Sequence, residues 1–324
     1  MLTYDKYTID STGAFLIGEL ERLDQTLHEP LYNVTWGRDI DLREDVSIAD
    51  EVSSYTNSTF ATAGAPETNG KNFIGKNSNA IPGPALDIGK TSSPLYLWGI
   101  EISYTIPELL SAQQMGRPVD AQKYQAMQIK YQMDIDEMVY IGDDVLGKYG
   151  LLNSTAVTAA SVAAGALGTT QWTTKTADEI LEDVNSLLQT CWAAAGYAVC
   201  PSKLLLPPAQ FAYITSQKVS TAGNISILQF LEDNSIALKI NGKKLDIQPC
   251  KWLVGRGTPA GSPAVATDRM VCYTQDKNRV RYPLVPLQRT PLEYRSIYHL
   301  TTYFGRLGVV EIVYPETMYY ADGI

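Results

Sequence analysis

Apolar residues recur along this chain at two periods, and the switches between them mark its elements. Over residues 12–28, Phe15, Leu16, Leu20, Leu23 and Leu27 fall largely at steps of three and four, which predicts an amphipathic helix stopped by Pro30. From 31 to 60, Val34, Trp36, Ile40, Leu42, Val46 and Ile48 interleave with polar residues, which predicts half-buried strands. The pattern then fades. Gly64 to Pro94 reads GAPETNGKNFIGKNSNAIPGPALDIGKTSSP, with little to bury. A structureless loop of that length is unusual inside a compact domain. Strand-like flanks on both sides instead predict a projecting hairpin that finds its partners on another molecule.

A strand is expected from Leu95 to Ile106, after which Pro107 suits the first turn of a helix, PELLSAQQM, ending at Met115. Gly116-Arg117-Pro118 interrupts it, because proline disfavours helical dihedrals in the residue before it. A longer helix is expected from Pro118 to about Ile141, with Tyr124, Met127, Tyr131, Ile135 and Met138 as its apolar stripe and Gly142 ending it. Residues 154–171 read as a strand and loop. Thr176 followed by Glu179 has the sequence of a capping box, opening a third helix that Gly196 stops. Ala198–Leu206 reads as a buried strand, and short helices are expected over Pro207–Ser216 and Ile225–Asn234. Further strands are expected over Leu245–Val254, Arg269–Gln275, Val280–Leu287, Tyr294–Tyr303 and Gly308–Tyr314, with Pro315 closing the last. Helices and strands mix without a βα repeat, which indicates the α+β class.

Composition narrows what such a fold could do. The 324 residues suffice for one large domain or two modest ones. Only 19% of residues are charged, and Tyr outnumbers Phe by 20 to 6. Interface cores are depleted in Lys, Glu and Asp and enriched in aromatics, so this balance suits a subunit that hides much of its surface against neighbours. With 35 acids against 26 bases the net charge is −9. Lys243-Lys244 is the only adjacent basic pair, so tight or sequence-specific DNA binding is not expected, since that needs clustered cations to replace counterions. An acidic chain can still enclose DNA without holding it. No basic-then-apolar leader and no run of about twenty apolar residues points to secretion or a membrane span.

The sequence offers no reactive constellation, and no catalytic, cofactor-binding or metal-ligating residue is assigned. His28 closes the first predicted helix and His299 stands beside Tyr298 in a strand-like run, neither near a nucleophile motif. Cys191, Cys200, Cys250 and Cys272 have no metal-ligand spacing and read as reduced, buried thiols, consistent with a reducing cytoplasm. Gly255-Arg256-Gly257-Thr258-Pro259-Ala260-Gly261 lacks the helix a phosphate loop requires. The acids Asp134, Asp136 and Glu137 flank Ile135 on a predicted helix and read as a solvated face, and Asp143-Asp144 follow Gly142.

The order of these segments resembles the major capsid proteins of tailed bacteriophages, the Hong Kong 97-type fold shared with encapsulin shells. The resemblance runs from an N-terminal arm through the Gly/Asn-rich loop to Ile102-Ser103-Tyr104-Thr105-Ile106-Pro107-Glu108-Leu109-Leu110. It continues in Met138-Val139-Tyr140-Ile141-Gly142-Asp143, Tyr149-Gly150-Leu151-Leu152-Asn153 and the closing Gly308-Val309-Val310-Glu311-Ile312-Val313-Tyr314-Pro315 with Asp322-Gly323-Ile324. It implies an N-terminal arm over 1–45, an extended loop over 46–100, a peripheral domain with its spine helix over 101–203 and 291–324, and an axial domain over 204–290. It also implies a non-enzymatic subunit that assembles with itself, as hexamers and pentamers, into an icosahedral capsid around double-stranded DNA. The virion would be its location, the host cytoplasm its place of assembly, and contact with the packaged DNA non-specific. Scaffolding, portal and decoration proteins would be further partners, with scaffolding a separate protein because no long charged prefix precedes the arm. Lys71 and Lys76 lie in the extended loop, but no cross-linking is predicted. An encapsulin compartment shell is the nearest rival reading, a phage tail or adhesion protein a further one, and an α+β enzyme with a carboxylate site the rival of another class.

Overall fold

Two β-sheets and one long helix divide the apolar residues of this chain between two cores. The computed structural model describes residues 32–62, 72, 76, 83–115, 119–220, 224–258 and 267–324, and Val34–Ile324 hold together as one unit. The helix expected over 12–28, the tip of the expected hairpin and most of the loop around Pro259 lie outside the described residues.

The unit opens with a single helical turn, α1 (Trp36–Asp39), and a short strand, β1 (Asp41–Arg43). Two long strands, β2 (Val52–Thr62) and β3 (Pro84–Pro94), pair antiparallel over their whole length. β4 (Tyr96–Thr105) leads into α2 (Ile106–Met115) and the long α3 (Val119–Tyr140). A tight ladder of β5 (Gly142–Asp143) and β6 (Lys148–Tyr149) follows. After β7 (Ala159–Ser161) comes α4 (Ala177–Ala194), opened by the predicted reciprocal cap between Thr176 and Glu179. β8 (Lys203–Leu206), α5 (Pro208–Ser216), α6 (Ile227–Asn234), α7 (Ile236–Asn241) and β9 (Asp246–Pro249) come next. The chain ends through β10 (Arg269–Tyr273), β11 (Val280–Arg289), β12 (Glu293–Arg295), β13 (Tyr298–Leu307), β14 (Glu311–Ile312) and β15 (Met318–Asp322).

One sheet runs β1-β11-β13-β12, with β14 also on β11 and β4 along the other edge of β13. The second runs β7-β15-β10-β8-β9. Its central strands β8, β10 and β15 are buried on both faces, so period-2 alternation splits their side chains between the two cores. Leu205, Val271, Tyr273 and Tyr320 pack with Tyr131, Ile135 and Val139 of α3. Leu204, Leu206, Met270, Cys272 and Ala321 pack instead with Ile180, Val184, Leu187 and Leu188 of α4 and with Ile214, Leu231 and Ala237 of the short helices. This is why Leu204-Leu205-Leu206 reads as an unbroken apolar run. Of the predicted α3 stripe, Met127, Tyr131, Ile135 and Met138 are buried, while Tyr124 is 40% exposed and stacks at a tilt on Tyr303.

Several local expectations change. Trp36–Asp39 is helical rather than extended, because the Asp136 carboxylate accepts the Thr35 and Trp36 amides and so caps the turn from outside the local sequence. Gly308–Tyr314 contains only the two-residue β14, because Gly308 crosses over Pro283, where a Cβ would sit 2.4 Å from the proline ring. Pro315 opens a 3₁₀ turn leading into β15, a strand the sequence pattern missed, as it missed α7. The strand expected to end at Leu287 runs on to Arg289 through a register shift between Val285 and Gln288, where Pro286 needs no ladder amide. Sheet membership also cuts across the segment limits at 203/204 and 290/291. β11 lies in the sheet of β4 and β13, and β15 pairs with β10.

Gly142 and Gly147 flank the β5–β6 turn with φ of 80° and 61°, but only at Gly142 would a Cβ meet backbone, 2.2 Å from the Lys148 carbonyl oxygen. We expect Gly142→Ala to cost about 3 kcal/mol or more and Gly147→Ala about 1 kcal/mol. Urea unfolding of the unassembled subunit measures both, and equal costs would contradict the steric account.

Candidate functional site

Much of the β2–β3 hairpin is unsupported by the rest of the described subunit. All of β3 is exposed from Pro84 to Ser92, including Leu86 at 57% and Ile88 at 61%. On β2, residues 56–59 are exposed as well. A two-stranded ribbon with both faces in water is at best marginally stable, so this blade gains stability only by lying on another surface.

Its root, by contrast, is fixed by buried charge. Glu311 of β14 is buried and receives Arg281 Nε at 2.7 Å, Arg43 Nη1 at 3.2 Å and the Ser53 hydroxyl. Tyr55 donates to the Ile312 carbonyl at 3.2 Å. Arg306 clamps both ends of the root, donating to the carbonyls of Ile48 at 2.7 Å and Leu95 at 3.0 Å. An arm held by two arginines on one buried carboxylate leaves the body in a set direction.

A second ionic hub lies under the end of α3. Asp39 is fully buried and accepts a two-pronged pair from Arg38, 2.7 and 2.8 Å, with Lys203 Nζ at 3.0 Å and the Tyr140 hydroxyl also on it. Burial alone would raise the Asp39 carboxyl, but the bonds from Arg38 and Tyr140 and the Lys203 charge outweigh it and hold it below the usual carboxylate range. Burial pushes the Tyr140 phenol well up, and the Asp39 charge pushes it further. Lys203, itself buried, also donates to the Arg38 carbonyl and Gln275 Oε1. Asp136, expected on a solvated face, is fully buried: it takes the Thr35 and Trp36 amides at 3.0 and 3.1 Å, Trp252 Nε1 at 2.7 Å and Lys251 Nζ at 3.1 Å. Trp36 and Trp98 likewise place their indole N–H on Gln132 and Asp134, so three tryptophans from distant segments grip alternate residues of α3. One sign of this hub is legible in the order of residues, an acid directly beside the buried-stripe residue Ile135.

The other candidates resolve into structural roles. His299 packs edge-on against Tyr294, ring centroids 4.6 Å apart, and His28 lies outside the described residues. All four cysteines are buried free thiols, as expected, and burial raises Cys200 to about 11 and Cys250 to about 12, the opposite of an activated nucleophile. Arg269 and Asp322 form a buried two-pronged pair at 2.6 and 2.9 Å across β10 and β15. Among the described residues, no group of three or more His, Cys, Asp or Glu is placed to hold a metal ion, and no helix is long and apolar enough to cross a membrane.

The family model for the major capsid protein matches residues 70–324. No curated protein sequence matches the chain. Among solved structures, the capsid of Myoviridae phage XM1 superposes with a TM-score of 0.74 at 14% identity, covering 95% of this chain and 98% of that one. The capsid of the native GTA particle gives 0.60 at 10% identity, covering 99% of each. The virus-like particle from Pyrococcus furiosus gives 0.52 at 11% identity, covering 98% of this chain and 100% of that one. The fold is therefore the Hong Kong 97-type capsid fold.

A carboxyl held below its unfolded value stabilises the fold above the unfolded pKa, about 3.9, and that contribution fades as pH falls through the folded value. Asp39→Asn should cost about 3–5 kcal/mol at neutral pH, by leaving Arg38 without its anion and the buried Lys203 with only the partly exposed Asp246 at 3.1 Å. Urea unfolding across the acid range should show the gap between the two proteins closing below about pH 4. A gap that stays constant into acid would assign the loss to packing instead.

Proposed function

Because the chain belongs to the major capsid protein family, whose members are shell subunits and not a class of enzyme, we propose that its copies close as hexamers and pentamers into an icosahedral shell around the double-stranded DNA of a tailed phage. The single observation that carries this reading is the β2–β3 blade: paired eleven-residue strands fixed at the root by the Glu311 cluster and exposed over 56–59 and 84–92. Such an arm is built to lie across a neighbouring copy. Its surface, buried only on assembly, supplies the hydrophobic gain that closes the shell.

In this reading 1–45 is the N-terminal arm, 46–100 carries the extended loop, 101–203 with 291–324 forms the peripheral domain, and 204–290 forms the axial domain. Scaffolding, portal and decoration proteins are its partners, and assembly takes place in the host cytoplasm, where buried thiols stay reduced. The excess of 35 acids over 26 bases favours a shell wall that DNA slides past. The encapsulin reading is weaker: the likeness to the Pyrococcus particle, at 0.52, falls below that to the phage XM1 capsid, at 0.74. Against a carboxylate enzyme, the buried acids Asp39, Asp136, Glu311 and Asp322 are each spent on cations and N–H donors rather than gathered in one open pocket.

Negative-stain microscopy of the purified full chain should show shells or capsomer rings. Replacing 63–83 by a short glycine turn should leave the subunit folded, with an unchanged thermal midpoint, yet unable to close shells. A wild-type protein that stays a small monodisperse oligomer under every assembly condition would sink the proposal.

A further inference from the structure

Three of the four free thiols share one core. Cys191 in the last turn of α4, Cys200, and Cys272 of β10 lie in the core that α4 covers, whereas Cys250 lies in the other. Cys191 and Cys272 meet across the seam between helix and sheet. The Cys272 sulfur stands 4.0 Å from the Leu187 carbonyl, the carbonyl to which the Cys191 amide bonds one helical turn later. The Cys191 sulfur stands 4.0 Å from the Glu316 carbonyl, in the 3₁₀ turn that leads into β15, and β15 pairs its Tyr319 with Cys272. Both sulfurs are therefore held in the gap between α4, β10 and β15. Burial raises the Cys272 thiol, and the Cys191 thiol beside it raises it further.

A small oxidant has a way in. A surface cavity of about 580 Å³ lies against the C-terminal end of α4, lined in part by Ala194, Ala195, Glu316 and Thr317. Glu316 thus belongs both to the cavity wall and to the Cys191 contact. Local opening concentrates at the ends of elements, so a peroxide in this cavity needs only the last turn of α4 to move.

We propose that Cys191 and Cys272 form a redox staple, open in a reducing compartment and closed by a peroxide outside it. One thiol, as its thiolate, attacks the peroxide and becomes a sulfenic acid, and the displaced hydroxide takes up the thiol's proton as water. The other thiolate attacks the sulfenic sulfur and displaces a second hydroxide, which leaves as water in the same way. Two electrons pass from the sulfurs to the peroxide oxygens. The bond joins α4 to β10 and closes the loop that carries β8, α5, α6, α7 and β9, which restricts the unfolded chain. The staple belongs to the subunit core and holds whether or not shells form. For a shell subunit, exit from the reducing cytoplasm is the step that exposes it to oxidant.

Brief exposure of the folded full chain to hydrogen peroxide, stopped with catalase, tests this. Unfolding in urea with iodoacetamide should then label Cys200 and Cys250 only, and peptide mapping without reductant should join the Cys191 and Cys272 peptides. The thermal midpoint should rise by several degrees and fall back with dithiothreitol. Cys191→Ala and Cys272→Ala should each lose both changes, whereas Cys200→Ala should keep them. Four labelled thiols, a bond through Cys200, sulfinic acid in place of the disulfide, or a bonded chain no more stable than the reduced one would each overturn the proposal.

Discussion

A charge taken out of water must be met by an opposite charge or by hydrogen-bond donors, and this requirement organises the subunit around α3. Removing a carboxylate from water costs several kcal/mol unless its lone pairs are filled. Asp39 and Asp136 are fully buried, and their partners come from α1, β8, and the segment around Trp252. Apart from Arg38, none of these donors lies near its acceptor in sequence. The two carboxylates therefore stitch the start of the unit onto the long helix and the five-stranded sheet, and they do so in one geometry only. Apolar packing alone would tolerate a helix sliding by a turn, whereas the bonds from the Thr35 and Trp36 amides to Asp136 and from Tyr140 to Asp39 do not.

The same device recurs where the subunit reaches outward. Glu311, filled by Arg43, Arg281 and Ser53, sets the direction in which β2 and β3 leave the body. Arg269 and Asp322 lock β15 to β10, with the Arg269 guanidinium over the Tyr320 ring at 4.5 Å. Stiff joints with exposed blades suit a protein whose work is geometric. The body resists deformation, and the surfaces left unsatisfied are those that gain most from a neighbour. Low overall charge and abundant tyrosine belong to this design, since tyrosine gives large, orientable contact area while keeping a hydroxyl for water before assembly.

Much of the fold follows from local rules. The capping box at Thr176 and Glu179, the stripe along α3 from Met127 to Met138, and the run Leu204–Leu206 each announce their element because one turn or strand contains the whole signal. The blade was legible for the opposite reason. A long segment poor in apolar residues but flanked by strand patterns satisfies much of its backbone when its two ends pair with each other. The errors fall where distant residues decide. α1 forms because Asp136 caps it from a position about a hundred residues away, and β13 ends at Leu307 because Gly308 must clear Pro283. Asp136 itself looked like solvent-facing charge because burial of an acid is set by what covers it, not by its neighbours in sequence.

By itself, then, the sequence determined the class of the protein. Periodicity, capping residues and prolines specify helices and strands in an order shared with capsid subunits. Only the tertiary structure decided which acids are buried, that the β15 strand returns to the sheet of β8 and β10, and which surfaces remain uncovered. The physical reason is range. Dihedral preference and hydrophobic period act over a few residues, whereas desolvation and ion pairing act between whatever segments the fold brings together.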